Sequence, residues 1–135
     1  MKKLLIYIFA FFALSCSIED DSLNDYQELL PIESAIIPET VTVGIAEDVF
    51  LNYLRPTNCH AYNDIYYVKN EQERTVAIVS TYFASNNNCT ALNAETEASF
   101  RFKATEVGMY TFKFWQGKND EGEDEYLIYE VEAID

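Results

Sequence analysis

Apolar residues recur at every second position along most of this chain. Val41, Val43 and Ile45 alternate with Thr40, Thr42 and Gly44, and Val49, Leu51 and Tyr53 alternate around Phe50 and Asn52. A spacing of two puts one face of a strand in a core and the other in solvent. The same reading predicts strands over 62–68, 75–83, 97–103, 109–116 and 125–133, with Asn, Gly and Asp turns between them. Seven short strands rich in Val, Ile, Thr, Tyr and Phe predict an all-β fold, a single β-sandwich of about 100 residues, with a small barrel as the structural rival. There is no internal repeat and no sustained helical period.

One local motif sharpens the architecture. Glu106-Val107-Gly108-Met109-Tyr110-Thr111-Phe112 resembles the corner of immunoglobulin-like domains, in which a Gly allows a tight turn into a strand and the Tyr hydroxyl bonds back to nearby main chain. The resemblance covers seven residues, with Glu106 in place of the usual Asp and Phe112 in place of the Cys. It implies an immunoglobulin-like sandwich and no particular activity. It also implies that Tyr110, Phe112 and Phe114 face inward and that Thr111, Lys113 and Trp115 face outward. Facing parity then makes Leu127, Tyr129 and Val131 the inner set of the returning strand, with Lys113 opposite Glu130 and Trp115 opposite Ile128. In the preceding strand, Phe100 and Phe102 belong inside, and Arg101 and Lys103 alternate with them.

The N-terminus follows a different pattern. Lys2 and Lys3 lead an uncharged apolar run from Leu4 to Leu14, and Ala13-Leu14-Ser15 precedes Cys16. Eleven apolar residues at about 1.5 Å each reach roughly half of a ~30 Å hydrocarbon core, too short to span it as a helix. A basic start, an apolar middle and small residues at the end have the layout of a cleaved secretory signal. Ala13-Leu14-Ser15-Cys16 resembles the lipobox of bacterial lipoproteins, with Ala13 in place of the usual leucine. The resemblance implies that Cys16 is lipidated and becomes the mature N-terminus. Ser17-Ile18-Glu19-Asp20-Asp21 resembles the acidic export tag of surface lipoproteins of the Bacteroidota, which implies an outer-membrane, cell-surface location. The expected organisation is a signal peptide over 1–15, a lipidated cysteine and acidic tether over 16–31, and a β-sandwich domain over 32–135.

Charge narrows the partners. The 135 residues carry 23 acidic and nine basic side chains. Removing 1–15, which holds two of the lysines and no acid, leaves 120 residues with a balance of −16. Such a surface repels phosphate backbones, so nucleic acid is not an expected partner. A hydrophobic content of 49% supplies enough apolar surface to offset the entropy of ordering, which argues for a folded domain.

Three cysteines leave one over in a secreted protein. Assigning Cys16 to the lipid leaves Cys59 and Cys89 as a pair. One lies just before a predicted strand and the other just after the next. If those strands form a hairpin, its open ends bring the sulfurs together. Two separate buried thiols are the alternative.

The remaining chemistry is sparse. His60 is the single histidine, has no serine elbow to serve, and reads as a solvated loop residue. A metal site on Cys59 and His60 would compete with oxidation of the thiols. The segment 119–125 holds five carboxylates at a predicted hairpin tip. Asp120, Glu121, Glu123 and Asp124 are weak calcium candidates, because the spacing departs from the calcium-loop pattern. A solvated acidic tip is the expected form. No catalytic residues, resident metal or cofactor are expected. Trp115, Tyr126 and Ile128, joined by Tyr66 or Tyr67, make a candidate binding patch on an outer face. The expected protein is a lipid-anchored, non-catalytic module whose partners are the membrane, through Cys16, and a glycan or protein ligand. A structural subunit of an envelope complex is the alternative.

Overall fold

The computed structural model describes residues 24–135. The expected signal peptide, Cys16 and the acidic cluster behind it lie outside the described residues. Nine strands follow in order: β1 (Tyr26–Leu30), β2 (Ile32–Ile36), β3 (Thr40–Thr42), β4 (Ala46–Thr57), β5 (His60–Asn70), β6 (Glu73–Tyr82), β7 (Ala91–Lys103), β8 (Gly108–Lys118) and β9 (Asp124–Ile134). They form two packed sheets, a β-sandwich. The smaller has the order β2-β4-β7, and the larger contains the other six strands.

In the larger sheet β5 pairs with β6 along its whole length. The opposite side of β6 is shared, with β8 alongside Glu73–Val76 and β1 alongside Ile78–Tyr82. The order continues from β8 to β9 to β3. Two of the pairings, β6 with β8 and β3 with β9, are parallel. Immunoglobulin sheets are antiparallel with strands C, F and G adjacent. Here the neighbour of β8 is the second strand of the β5–β6 hairpin, so the sandwich architecture holds with a different strand order.

The core lies between the sheets. Ile32, Val49, Leu51, Tyr53 and Phe102 from the smaller sheet meet Val76, Ile78, Tyr110, Phe112, Phe114 and Val131 from the larger. Phe102 packs edge-on against Phe112 at 4.9 Å and against Tyr110 at 5.2 Å, and Phe114 packs against Tyr129 at 5.7 Å. Each such pair adds about 0.5–1.5 kcal/mol beyond the burial of its rings. The inner faces of β7, β8 and β9 are thus as the alternation predicts. The corner forms too: Tyr110 Oη accepts the N–H groups of Thr105 and Glu106, both at 3.2 Å. Gly108 enters the strand at φ +131°, and a Cβ there would lie 3.0 Å from Gln72 Nε2.

Three expectations are corrected, and one strand that the alternation does not reveal is added. The folded part starts before residue 32, because the end of the expected tether is β1, whose Leu30 is buried. β2 escapes the alternation because a bulge between Ile32 and Ser34 spaces its buried residues, Ile32 and Ala35, by three. The strand expected over Val41–Ile45 stops at Thr42, where Ile45 N–H bonds back to Thr42 O in a turn and leaves Ile45 exposed. His60 is not a solvated loop residue. It opens β5 at 7% exposure, with Nδ1 2.8 Å from Thr57 Oγ1 and Nε2 2.5 Å from Glu28 Oε1.

Cys59 and Cys89 form a disulfide, with their Cα atoms 5.4 Å apart. The bond joins two crossings between sheets, from β4 to β5 and from β6 to β7. The open end of the β5–β6 hairpin places it there, since His60 pairs with Tyr82.

Candidate functional site

The outer face of the larger sheet holds an aromatic groove of about 320 Å³. Its floor is small because β6 changes partner there. β8 leaves β6 after the pair Val76–Phe114, and β1 joins at Ile78–Leu30, so Ala77 and Thr75 lie under the gap. The walls are larger: Tyr66 from β5, Trp115 from β8, Tyr126 from β9 and Leu29 from β1. One end carries charge, Lys118 and Asp124.

Trp115 and Tyr126 are cross-strand partners. The expected register is off by two residues, since Lys113 faces Ile128 and Glu130 faces Thr111. Two local features account for the slip. The closing pair of the turn is Lys118–Asp124, one position from the expected centre, and a bulge at Gln116 shifts the pairing by one more. A shift of two preserves facing, so the outer set of residues survives. Lys113 finds its acid on β6 instead, 3.6 Å from Glu73 Oε1, and its Nζ lies 4.5 Å from the Tyr126 ring centroid.

The groove gathers three of the five patch residues. Tyr66 is there, but Tyr67 points to the other face and packs edge-on against Phe100 at 5.4 Å. Adjacent strand residues take opposite faces. Ile128 is half exposed on the outer face, opposite Lys113, and does not line the groove. Leu29, Thr75, Ala77 and Lys118 were not legible as site residues, because their membership depends on β1 docking beside β6 and on the splay of β8.

Asp124 organises the charged end. Its Oδ1 accepts Trp115 Nε1–H and a proton of Lys118 Nζ, each at 2.9 Å. The bond from Lys118, then that from Trp115, holds its carboxyl below the ordinary value of 3.8. The acidic turn beyond it is built on a side chain, with Asn119 Oδ1 accepting the N–H groups of Glu121 and Glu123 at 3.0 and 2.9 Å. Gly122 takes φ +80° at its apex. Asp120, Glu121 and Glu123 stay exposed. Among the described residues no three His, Cys, Asp or Glu side chains converge as metal ligands.

Fold and groove define a class, a two-layer β-sandwich with an aromatic cleft on one outer face. No known protein family, no curated protein and no solved structure matches this chain.

Proposed function

We propose that this is a lipid-anchored envelope protein that binds a glycan without transforming it. The observation that carries the reading is the groove, in which Tyr66, Trp115 and Tyr126 converge from three strands beside the Lys118–Asp124 pair. Aromatic faces accept the apolar C–H face of a sugar, and a cation and a carboxylate at one end suit its hydroxyls. The volume falls at the small end of ligand sites, about 300–1,000 Å³, which suits a short stretch of sugar. The non-catalytic part of the reading rests on the carboxylates. Glycoside hydrolysis uses a flanking pair, whereas the groove offers Asp124 alone, already committed to Lys118 and Trp115.

The anchor reading rests on the Ala13-Leu14-Ser15-Cys16 segment and the acidic residues behind it, and the Cys59–Cys89 bond is consistent with an oxidising compartment. Replacing Cys16 by Ser should move the protein from the membrane to the soluble fraction. External protease on intact cells should digest it if it is displayed on the surface.

Trp115 is the single tryptophan, so its emission reports on the groove directly. Titration with peptidoglycan fragments and with neutral and acidic bacterial polysaccharides should give a saturable emission change for at least one of them. Tyr126→Ala should weaken that binding by roughly tenfold, about 1.4 kcal/mol, at unchanged melting temperature. No response to any glycan, with a stoichiometric protein co-purifying from the envelope, would favour the structural-subunit reading.

A further inference from the structure

The larger sheet has a free edge at β5 and the smaller at β7, and among the described residues these edges do not pair. Between them lies a cavity of about 620 Å³. Its inner wall is apolar, formed by Ile65 and Tyr67 from β5 and by Phe100 and Phe102 from β7. Its charge runs against the rest of the molecule. The chain has nine cations to 23 acids, yet Lys69, Arg74, Arg101 and Lys103 line this space against Asp64 and Glu71.

Few of those cations are paired with an acid. Arg101 pairs with Asp48 at 3.5 Å, and Lys69, Arg74 and Lys103 form no salt bridge among the described residues. Arg74 is the informative one, at 6% exposure. Its Nη1 donates to Glu71 O at 2.7 Å and to Glu73 O at 2.9 Å, which ties down a turn where Glu71 takes φ +55°. Its guanidinium carbon lies 5.0 Å from the Tyr110 ring centroid, and its buried Nε has no hydrogen-bond partner. A guanidinium cannot shed its proton to relieve that deficit, and an unmet buried donor destabilises the fold until something accepts from it.

We propose that the cavity between β5 and β7 is a second binding site, for a small organic carboxylate whose ring or apolar body lies on Tyr67, Phe100 and Phe102 while its anionic end is held by Lys69, Arg74 and Lys103. The size falls within the range of small-molecule sites, about 300–1,000 Å³. The two acids temper the site. Asp64 Oδ1 accepts the N–H of Ile65 at 2.8 Å, and with Glu71 it leaves a modest positive excess, which suits one carboxylate better than a multiply charged phosphate. The site is separate from the Trp115 groove, since the neighbours Tyr66 and Tyr67 line one each.

The test uses 2-naphthoate, its neutral amide and inorganic phosphate, titrated into the full chain by calorimetry with backbone NMR shifts read in parallel. Naphthoate should bind saturably, shift resonances around Tyr67 and Phe100, and bind at least roughly tenfold more tightly than the amide. Arg74→Gln should abolish the preference for the acid. Because that change also frees the turn carbonyls, the exposed double change Lys69→Gln with Lys103→Gln provides an independent arm. It should weaken naphthoate by at least about threefold and leave the melting temperature unchanged. Equal affinity for acid and amide, indifference to the double change, tighter binding of phosphate, or shifts confined to the Trp115 groove would each overturn the proposal. So would the absence of binding at millimolar naphthoate. Apart from shifts at the Trp115 groove, none of these results bears on glycan binding, which Trp115 emission reads separately.

Discussion

Trp115 Nε1–H and Lys118 Nζ donate to the same oxygen, Oδ1 of Asp124, each at 2.9 Å. Both bonds favour the ionised carboxylate, so the folded-state pKa lies below 3.8. A depressed carboxylate pKa contributes stability that is present above the unfolded value and lost as pH falls through the folded one. The emission of Trp115 should therefore titrate with a midpoint below 3.8, and Asp124→Asn should remove that transition. A midpoint at or above 3.8 would show that the carboxylate is not held in this way.

Reduction of the Cys59–Cys89 bond should be costly. It closes a separation of 30 residues, and in the chain-entropy account such a loop is worth about 3–4 kcal/mol. The expected result is a marked drop in the urea midpoint with reductant and the same drop in a Cys59→Ala, Cys89→Ala protein without it. Coincident unfolding curves with and without reductant would contradict this. Loss should begin at the two sheet crossings, because the bond ties the β4–β5 connection to the β6–β7 connection.

The elements that could be read from the chain are those in which burial follows a strict period. Val49, Leu51 and Tyr53 in β4, and Tyr110, Phe112 and Phe114 in β8, alternate without interruption and are buried as expected. Bulges and shared edges hid the rest. A bulge gives β2 a spacing of three, another at Gln116 displaces the β8–β9 register, and β1 sits in acidic sequence with a single buried residue, Leu30. The groove was legible to the extent that it depends on parity, through Trp115 and Tyr126. Its floor, and the whole cavity around Arg74, depend on which strands lie side by side, and alternation along one strand carries no information about its neighbours.

Glu28 should act as the latch of β1. It reaches His60 Nε2 across the sheet, while Tyr26 packs on Tyr82 at 5.0 Å and His60 packs on the same ring at 5.0 Å. β1 otherwise contributes little burial beyond Leu30, so the polar contact is a large part of its hold. Glu28→Ala should cost about 1–3 kcal/mol, because it leaves Nε2 of the buried His60 without its partner. The loss should be local, with amide exchange accelerating at Tyr26–Leu30 well before the β8–β9 pair. Uniform acceleration across both sheets would show that β1 is not an independent unit. Because Leu29 is a wall of the aromatic groove, the same variant should also weaken whatever binds at Trp115.

Tyr110→Phe isolates the corner. The ring, packed at 5.2 Å against Phe102, is retained, and the oxygen accepting from Thr105 and Glu106 is removed. Two part-buried donors lose their acceptor, a cost of about 1–3 kcal/mol in equilibrium unfolding. The pH dependence gives a second reading. Burial pushes the Tyr110 phenol up, but hydrogen bonds from Thr105 and Glu106, aided by the Arg74 charge, outweigh it and leave its pKa below 10.0. An acid with a depressed folded pKa binds fewer protons folded than unfolded, so its contribution grows as pH rises through the folded value toward 10.0. The gap in stability between wild type and Tyr110→Phe should therefore widen from neutral pH toward pH 10. Tyr53 and Tyr67, whose phenols are raised by burial, have the opposite sign and destabilise the fold at alkaline pH. They are present in both proteins and largely cancel in the difference. A gap that narrows toward pH 10 would mean that the Tyr110 oxygen is not held by these donors.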